Sequence, residues 1–240
     1  MHVLEYFQQI YVINLPHRRD RRLEMAEQLA KIGLSFDNPA VRLFAAFRPE
    51  DPGGFPNIGA RGCFMSHLGV LQDARERKFE RILIFEDDLN FSPDFTTRID
   101  QVIEELGEVD WSVFYGGYAM DRPPQPKRDG AIAQAEPPTS IQTAHFIGFR
   151  GSAIAEVTKF LEEVLERPPG DPRGGPMHVD GAYGWFRFLS PSRITLVSVP
   201  RLGYQRSSRT DIHALRWYDL APGSRQAISF LRKLRNRAKQ

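Results

Sequence analysis

Ile82-Leu83-Ile84-Phe85-Glu86-Asp87-Asp88-Leu89-Asn90-Phe91 (ILIFEDDLNF) sets four apolar residues directly before three consecutive carboxylates. The apolar run has the length and β-branched content of a buried strand. Three adjacent acids repel one another and raise each other's pKa. A cation relieves that repulsion, and all-oxygen ligand sets suit hard divalent ions such as Mn²⁺ and Mg²⁺. Open α/β sheets bind ligands beyond the carboxyl ends of their strands. The stretch therefore reads as a cation site at a strand's carboxyl end. It also admits a plain turn, since acids after a strand often form turns or cap the next helix. Asp94, after Ser92-Pro93, is placed to cap a helix running to about Leu106.

Outward from this stretch, apolar runs and helical patterns alternate. IYVINL (10–15) reads as a first strand closed by Pro16. Residues 18–32 read as a helix, with Leu23, Ala26, Leu29 and Ala30 at helical spacing and Gly33 as its stop. Residues 41–47 read as a second strand, 49–60 as a Pro/Gly-rich loop, 62–77 as a helix and 111–115 as a further strand. The order β-α-β-α-β-α-β predicts a mainly parallel sheet with helices on its faces. Residues 119–140 lose the pattern and read as a long loop. A strand at 141–149, a helix at 152–165, a short helix after His178-Val179-Asp180 and a strand at 194–199 follow.

The 240 residues suit one large α/β domain with an appendage, 1–223 and 224–240. Cys63 is the sole cysteine, which excludes an internal disulfide and a cysteine-based zinc site and fits a reducing compartment. No apolar run approaches the roughly 20 residues of a membrane span. The N-terminal residues lack the basic region of a secretory signal. Net charge is +2, but residues 225–240 carry six bases and no acid, leaving 26 bases and 30 acids in residues 1–224. A mildly acidic body argues against nucleic acid as a partner. In the tail, Ala227, Phe230, Leu231, Leu234 and Ala238 form an apolar stripe opposite the bases. Such a helix lies on an anionic membrane surface or docks on the domain.

Several segments resemble glycosyltransferase family 25, which includes bacterial lipooligosaccharide galactosyltransferases and collagen galactosyltransferases. YVINLPHRRDRRLEM (11–25) resembles the family's opening strand, Asn-Leu and basic helix start. GARGCFMSH (59–67) resembles its Gly-Glu-x-Gly-Cys-x-x-Ser-His segment, and ILIFEDDLNF its Glu-Asp-Asp strand end. HFIGFRGSA (145–153), HVD (178–180) and Gln205 with Thr210-Asp211-Ile212 resemble later landmarks, so the order holds over roughly residues 8–213. Ala60 stands where the family usually has Glu, and Thr210 where it usually has Ser.

The resemblance implies a GT-A-type, Rossmann-like mixed α/β fold, mainly parallel, with the basic tail as a C-terminal helix. It implies transfer of a hexose, with galactose the family default, from a nucleotide sugar to a saccharide acceptor. Inversion is the family's usual stereochemistry. Mn²⁺ or Mg²⁺ is the implied cofactor, and envelope or lipopolysaccharide glycan synthesis the implied setting. That setting places the chain in the cytoplasm, peripheral to the inner membrane through residues 224–240, with a lipid-linked acceptor. The rival reading is a non-catalytic family-like protein that binds glycan or nucleotide. A phosphotransferase or hydrolase using the same acids lacks a Gly-Lys phosphate loop.

Within that frame, Asp88 and Glu86 are the metal candidates, two apart and so on one side of an extended backbone. Asp87 is assigned to ribose or donor sugar. Asn14 and Leu15 border the nucleoside. Of the four clustered arginines, Arg19 and Arg22 are three apart on one helix face and are assigned to the nucleotide sugar. Phe47 lies near the base or in the core. His67 is either a buried, hydrogen-bonded histidine or a site residue, and the family motif places it near the donor. Cys63 reads as a packed residue. Transfer with inversion needs a base for the acceptor hydroxyl. Asp180, followed by Gly-Ala-Tyr-Gly-Trp, is the candidate, with a metal role beside His178 or a helix cap as alternatives. Asp211 is a weaker candidate for the same role.

Overall fold

A computed structural model describes residues 3–206. Helix α1 (Val3–Tyr6) leads into strand β1 (Gln9–Asn14), helix α2 (Arg19–Lys31) and strand β2 (Val41–Ala45). Helix α3 (Ile58–Glu76) precedes β3 (Arg81–Glu86), the short β4 (Leu89–Phe91) and α4 (Phe95–Gly107). Then come β5 (Val113–Ala119), β6 (Ile132–Gln134), β7 (Gln142–Arg150), α5 (Ser152–Glu166), α6 (Val179–Leu189), β8 (Thr195–Ser198) and β9 (Gly203–Gln205). The basic tail, the 223/224 boundary, Thr210 and Asp211 lie outside the described residues.

The main path of the sheet runs β2-β1-β3-β7-β5-β8-β6. Six strands, β1, β2, β3, β5, β8 and β9, point one way, and β4, β6 and β7 run against them. The expected mixed, mainly parallel α/β sheet is what forms. Period-two alternation explains why both faces are covered. Tyr11, Ile13, Ile82 and Ile84 face the cluster built by α3, α5 and α6. Ile10, Val12, Leu83 and Phe85 face the one built by α1, α2 and α4. Each such side chain taken fully from water contributes roughly 1.5–3 kcal/mol. An acid inside β3 would forfeit that, so the carboxylates begin where the strand ends.

Three boundaries depart from the pattern. Helix α3 starts at Ile58, because the Asn57 side chain accepts the Ala60 N–H at 2.8 Å. The sequence pattern places Ile58, Gly59 and Ala60 in the preceding loop and starts the helix at Gly62. Asp94 occupies the cap position of α4, yet its side chain makes no cap hydrogen bond and reaches Arg98 at 3.4 Å instead. The 119–140 stretch is not all loop: β6 pairs with β8, and the Glu105 carboxylate accepts the N–H groups of Ala131 and Ile132.

Candidate active site

The acidic triplet sits at the carboxyl end of β3, beside the ends of β1 and β2. The strand stops at Glu86, and Asp87-Asp88 form a turn into β4. The turn breaks the two-residue alternation, so the three acids point to three sets of partners. Asp87 Oδ2 accepts from Asn14 Nδ2 at 2.7 Å and Oδ1 from Arg21 at 2.8 Å. Glu86 Oε1 meets His67 Nε2 at 3.2 Å and the Cys63 thiol at 3.8 Å. Asp88 Oδ2 accepts from Gln205 at 3.3 Å and lies 3.8 Å from Arg21. Among the described residues, Asp88 Oδ1 is buried with no hydrogen-bond partner, as is Asn14 Oδ1.

Burial raises the Asp88 carboxyl, and the charge of Glu86 raises it further, to about 7, against relief from Arg21. Burial also raises Glu86, but the hydrogen bond and charge of His67 bring it below the ordinary carboxylate range. Glu86 thus holds its charge and Asp88 takes up a proton near neutrality. A buried carboxylate oxygen with no donor beside an ionised neighbour is the environment a hard cation satisfies. Asp88 and Glu86 fit a divalent ion on that ground. A second donor set is close by: Cys63 Sγ, a His67 ring nitrogen and a Glu86 oxygen lie within 4.8 Å of one another. It holds one cysteine and no second, so it is not a cysteine-based zinc site.

The Gly-Cys-x-x-Ser-His segment acquires a physical account on α3. Gly62 and Gly69 lie against the end of β2, where a Cβ on Gly62 would sit 2.8 Å from the Phe47 carbonyl and one on Gly69 2.9 Å from Phe44 and Phe47. Ser66 Oγ accepts the Phe47 N–H at 2.9 Å and donates to the Gly62 carbonyl at 2.6 Å. One turn-related pair over, Cys63 and His67 face Glu86. His67 is fully buried. Its Nε2 meets Glu86 at 3.2 Å and its Nδ1 meets the Tyr183 hydroxyl at 3.0 Å. His67 therefore orients Glu86 from behind rather than reaching the cavity. The Cys63 thiol is pushed well up by burial and by the charges of Glu86, Asp180 and Asp88, which leaves it no nucleophile.

A cavity of about 350 Å³ opens beside the turn, lined among others by Leu15, Arg21, Phe47, Ile58, Cys63 and Asp87. Phe47 is 45% exposed and forms its wall, not the core. Arg19 and Arg22 do not line it. The face of α2 that turns to the sheet carries Arg21, Met25 and Gln28, spaced at i, i+4 and i+7, whereas Arg19 is exposed. Arg21 lines it instead, together with Arg48. Arg206 was also missed: its N–H reaches the Asp88 carbonyl at 2.7 Å, and its guanidinium reaches the Asp87 carbonyl, Asn90 and Glu24. The β4–β9 pairing brings it there, across 116 residues from Asn90.

Asp180 lies in the first turn of α6, where His178 holds the cap position without a side-chain cap bond. It is not the cap. Its carboxylate accepts the N–H groups of Thr143 at 3.0 Å and Gly181 at 2.9 Å. It opens on a separate groove rather than on the cavity at Asp87.

Residues 58–120 match the model of glycosyltransferase family 25, described as an LPS biosynthesis protein. Procollagen galactosyltransferase 1-B of Xenopus laevis is 26% identical over 141 residues, 50% of this chain and 23% of its own length. Inactive glycosyltransferase 25 family member 3 of Homo sapiens is 27% identical over 135 residues, 49% and 23%. The chain thus spans under a quarter of the length of these curated relatives. A solved glycosyltransferase involved in glycosylation of the PBCV-1 major capsid superposes with a TM-score of 0.51 at 12% identity, covering 84% of this chain and 93% of that one. It shares the fold. The resemblance that the motifs carry holds over the helix and strand that build the acidic turn.

Proposed function

We propose, from the match of residues 58–120 to glycosyltransferase family 25 and the geometry of the acidic turn, that this chain transfers a hexose from a nucleotide sugar to a saccharide acceptor. The observation that carries the proposal is the Glu86-Asp87-Asp88 turn. Asp87 is clamped by Arg21 and Asn14 and, with Glu86, lines a cavity sized for a nucleoside, while the adjoining Asp88 has a buried oxygen with no partner among the described residues. Phe47, Ile58 and Leu15 supply apolar walls for the base. Asp87 and Arg21 stand where ribose and diphosphate would lie. Asp88 and Glu86 would hold Mn²⁺ or Mg²⁺, which offsets the charge that develops on the departing diphosphate. The acceptor oxygen attacks the anomeric carbon as the bond to the diphosphate breaks, inverting that centre. Asp180 takes the proton of the acceptor hydroxyl. Galactose is the preferred donor sugar on the strength of the procollagen galactosyltransferase relatives, and an envelope or lipopolysaccharide glycan the preferred acceptor setting.

The test is a thermal-shift screen of UDP-sugars with and without Mn²⁺. A rise in Tm that needs both supports the proposal. No rise with any nucleotide sugar, well above millimolar concentration, sinks it. Asp88→Asn is expected to lower kcat by at least about a hundredfold, as the loss of one group that stabilises developing charge does. Turnover at the wild-type rate would remove Asp88 from the metal site.

A non-catalytic reading is favoured by one observation, the relative named as inactive, together with Ala60 in place of the family's Glu. Ala60 is buried in the apolar cluster. The acids at 86–88 are all retained. UDP-sugar hydrolysis without acceptor separates the two readings, because a binding protein releases no sugar.

A further inference from the structure

Helix α6 shows two different faces. Val179, Ala182, Tyr183 and Phe186 enter the core. Gly181, Gly184, Trp185 and Phe188, at i, i+3, i+4 and i+7, line a groove of about 700 Å³ whose other wall is residues 137–142. Phe188 is 55% exposed, and its ring meets that of Trp185 edge-on at 6.1 Å. A Cβ at Gly184 would meet nothing, so the helix backbone beside the aromatic pair is open. Ser140, Gln142, His178 and Asp180 bring hydrogen-bonding groups to the same groove.

The walls of this groove are built from buried polar contacts. Arg187 is 1% exposed. It spends its guanidinium on the Glu136 and Thr139 carbonyls at 2.8 Å and on Thr195 Oγ1 at 3.1 Å. A buried cation given to two loop carbonyls fixes the 136–139 wall against α6. Thr143, whose N–H holds Asp180, has φ +67°. A β-branched residue in the left-handed region persists only where its surroundings impose it, and such strain gathers at ligand sites.

The groove also opens at the edge of the sheet that carries the acidic turn. Strand β7 runs antiparallel to β3, with Phe146 opposite Phe85, so Gln142 extends beyond the end of β3 where Glu86 sits. A saccharide ring has apolar C–H faces rimmed by hydroxyls. Aromatic faces beside carboxylate, amide and hydroxyl groups complement both. We propose that this groove is the acceptor subsite, in which Trp185 and Phe188 stack against a sugar ring and Asp180 receives a hydroxyl at the end nearest the acidic turn.

The inference rests on the transferase reading, and its test separates the two. The full chain, with UDP and Mn²⁺, is applied to an array of defined mono- to tetrasaccharides. Saturable binding to a class of these glycans is expected. Trp185→Ala and Phe188→Ala should weaken it roughly tenfold each, and Trp185→Phe should restore it. The rise in Tm with UDP should persist in all three variants, which reports their folding. Alanine variants that bind glycan as wild type does would overturn the subsite. So would a wild-type chain that responds to UDP but retains no saccharide. Glycan binding lost in the alanine variants without any response to UDP would keep the groove and remove the nucleotide-sugar reading.

Discussion

Asp88 carries an energetic penalty that the rest of the fold must offset. Its carboxyl titrates near 3.8 in the unfolded chain and near 7 in the folded one, first because it is buried and then because Glu86 faces it. Below about pH 4 both states hold the proton and the group costs nothing. From there to about pH 7 the unfolded chain releases the proton first, so stability falls across that window. The full penalty is present above about pH 7. Asp88→Asn removes the charge, so the variant should be more stable than wild type at pH 8 in chelator, by on the order of 2–4 kcal/mol. At pH 4.5 the gain should be small. Urea melts at the two pH values measure it, and an equal gain at both would contradict the assignment. Added Mn²⁺ should close the gap by stabilising wild type alone. At this scale the sequence was only partly legible. Carboxylate adjacency marks the repulsion, but not the Asp87-Asp88 turn that sends each acid to its own partners. Four clustered arginines cannot be ranked without the register of α2, which Met25 and Gln28 set by packing inward.

Helix α3 connects the family motif to the cavity. Its glycines let it approach the end of β2, and Ser66 then accepts the Phe47 N–H in a fully buried position. Ser66→Ala leaves that N–H without a partner, a loss of about 1–3 kcal/mol in denaturant melts. Because Phe47 walls the cavity, the same variant should raise KM for the UDP-sugar severalfold with a smaller effect on kcat. An unchanged KM would separate the helix contact from the nucleotide pocket. Elements as a whole were readable, because strands buried on both faces and amphipathic helices leave their period in the chain. What escaped were α1, four residues long, and β4, β6 and β9, three residues each. Strands that short have no period, and long-range pairing decides them, β4 with β9 across up to 116 residues and β6 with β8 across up to 66. Arg206 and Gln205 reach the acidic turn only through that pairing.

The sheet as a whole explains why the two cavities open side by side. With β7 reversed between β3 and β5, the ends of β1, β2 and β3 and the start of β7 share one edge. The cavity at Asp87 and the groove at Asp180 are therefore neighbouring openings, and Asp180 is near enough for its charge to act on Cys63. Charge is distributed as unevenly as the pockets. Residues 1–224 hold 26 bases and 30 acids, and residues 225–240 hold six bases and no acid. Among the described residues no helix is long and apolar enough to cross a membrane. The six bases of residues 225–240 would each contribute about 1 kcal/mol of attraction near an anionic leaflet. Deleting residues 225–240 should abolish sedimentation with vesicles containing phosphatidylglycerol. Transfer to a soluble acceptor should be unchanged. Binding of the intact chain should fall steeply as salt rises from about 0.05 to 0.5 M, where the screening length drops below 5 Å or so. Vesicle binding that survives the deletion would assign membrane contact to the domain, whose net charge of −4 would then have to be overcome by apolar surface.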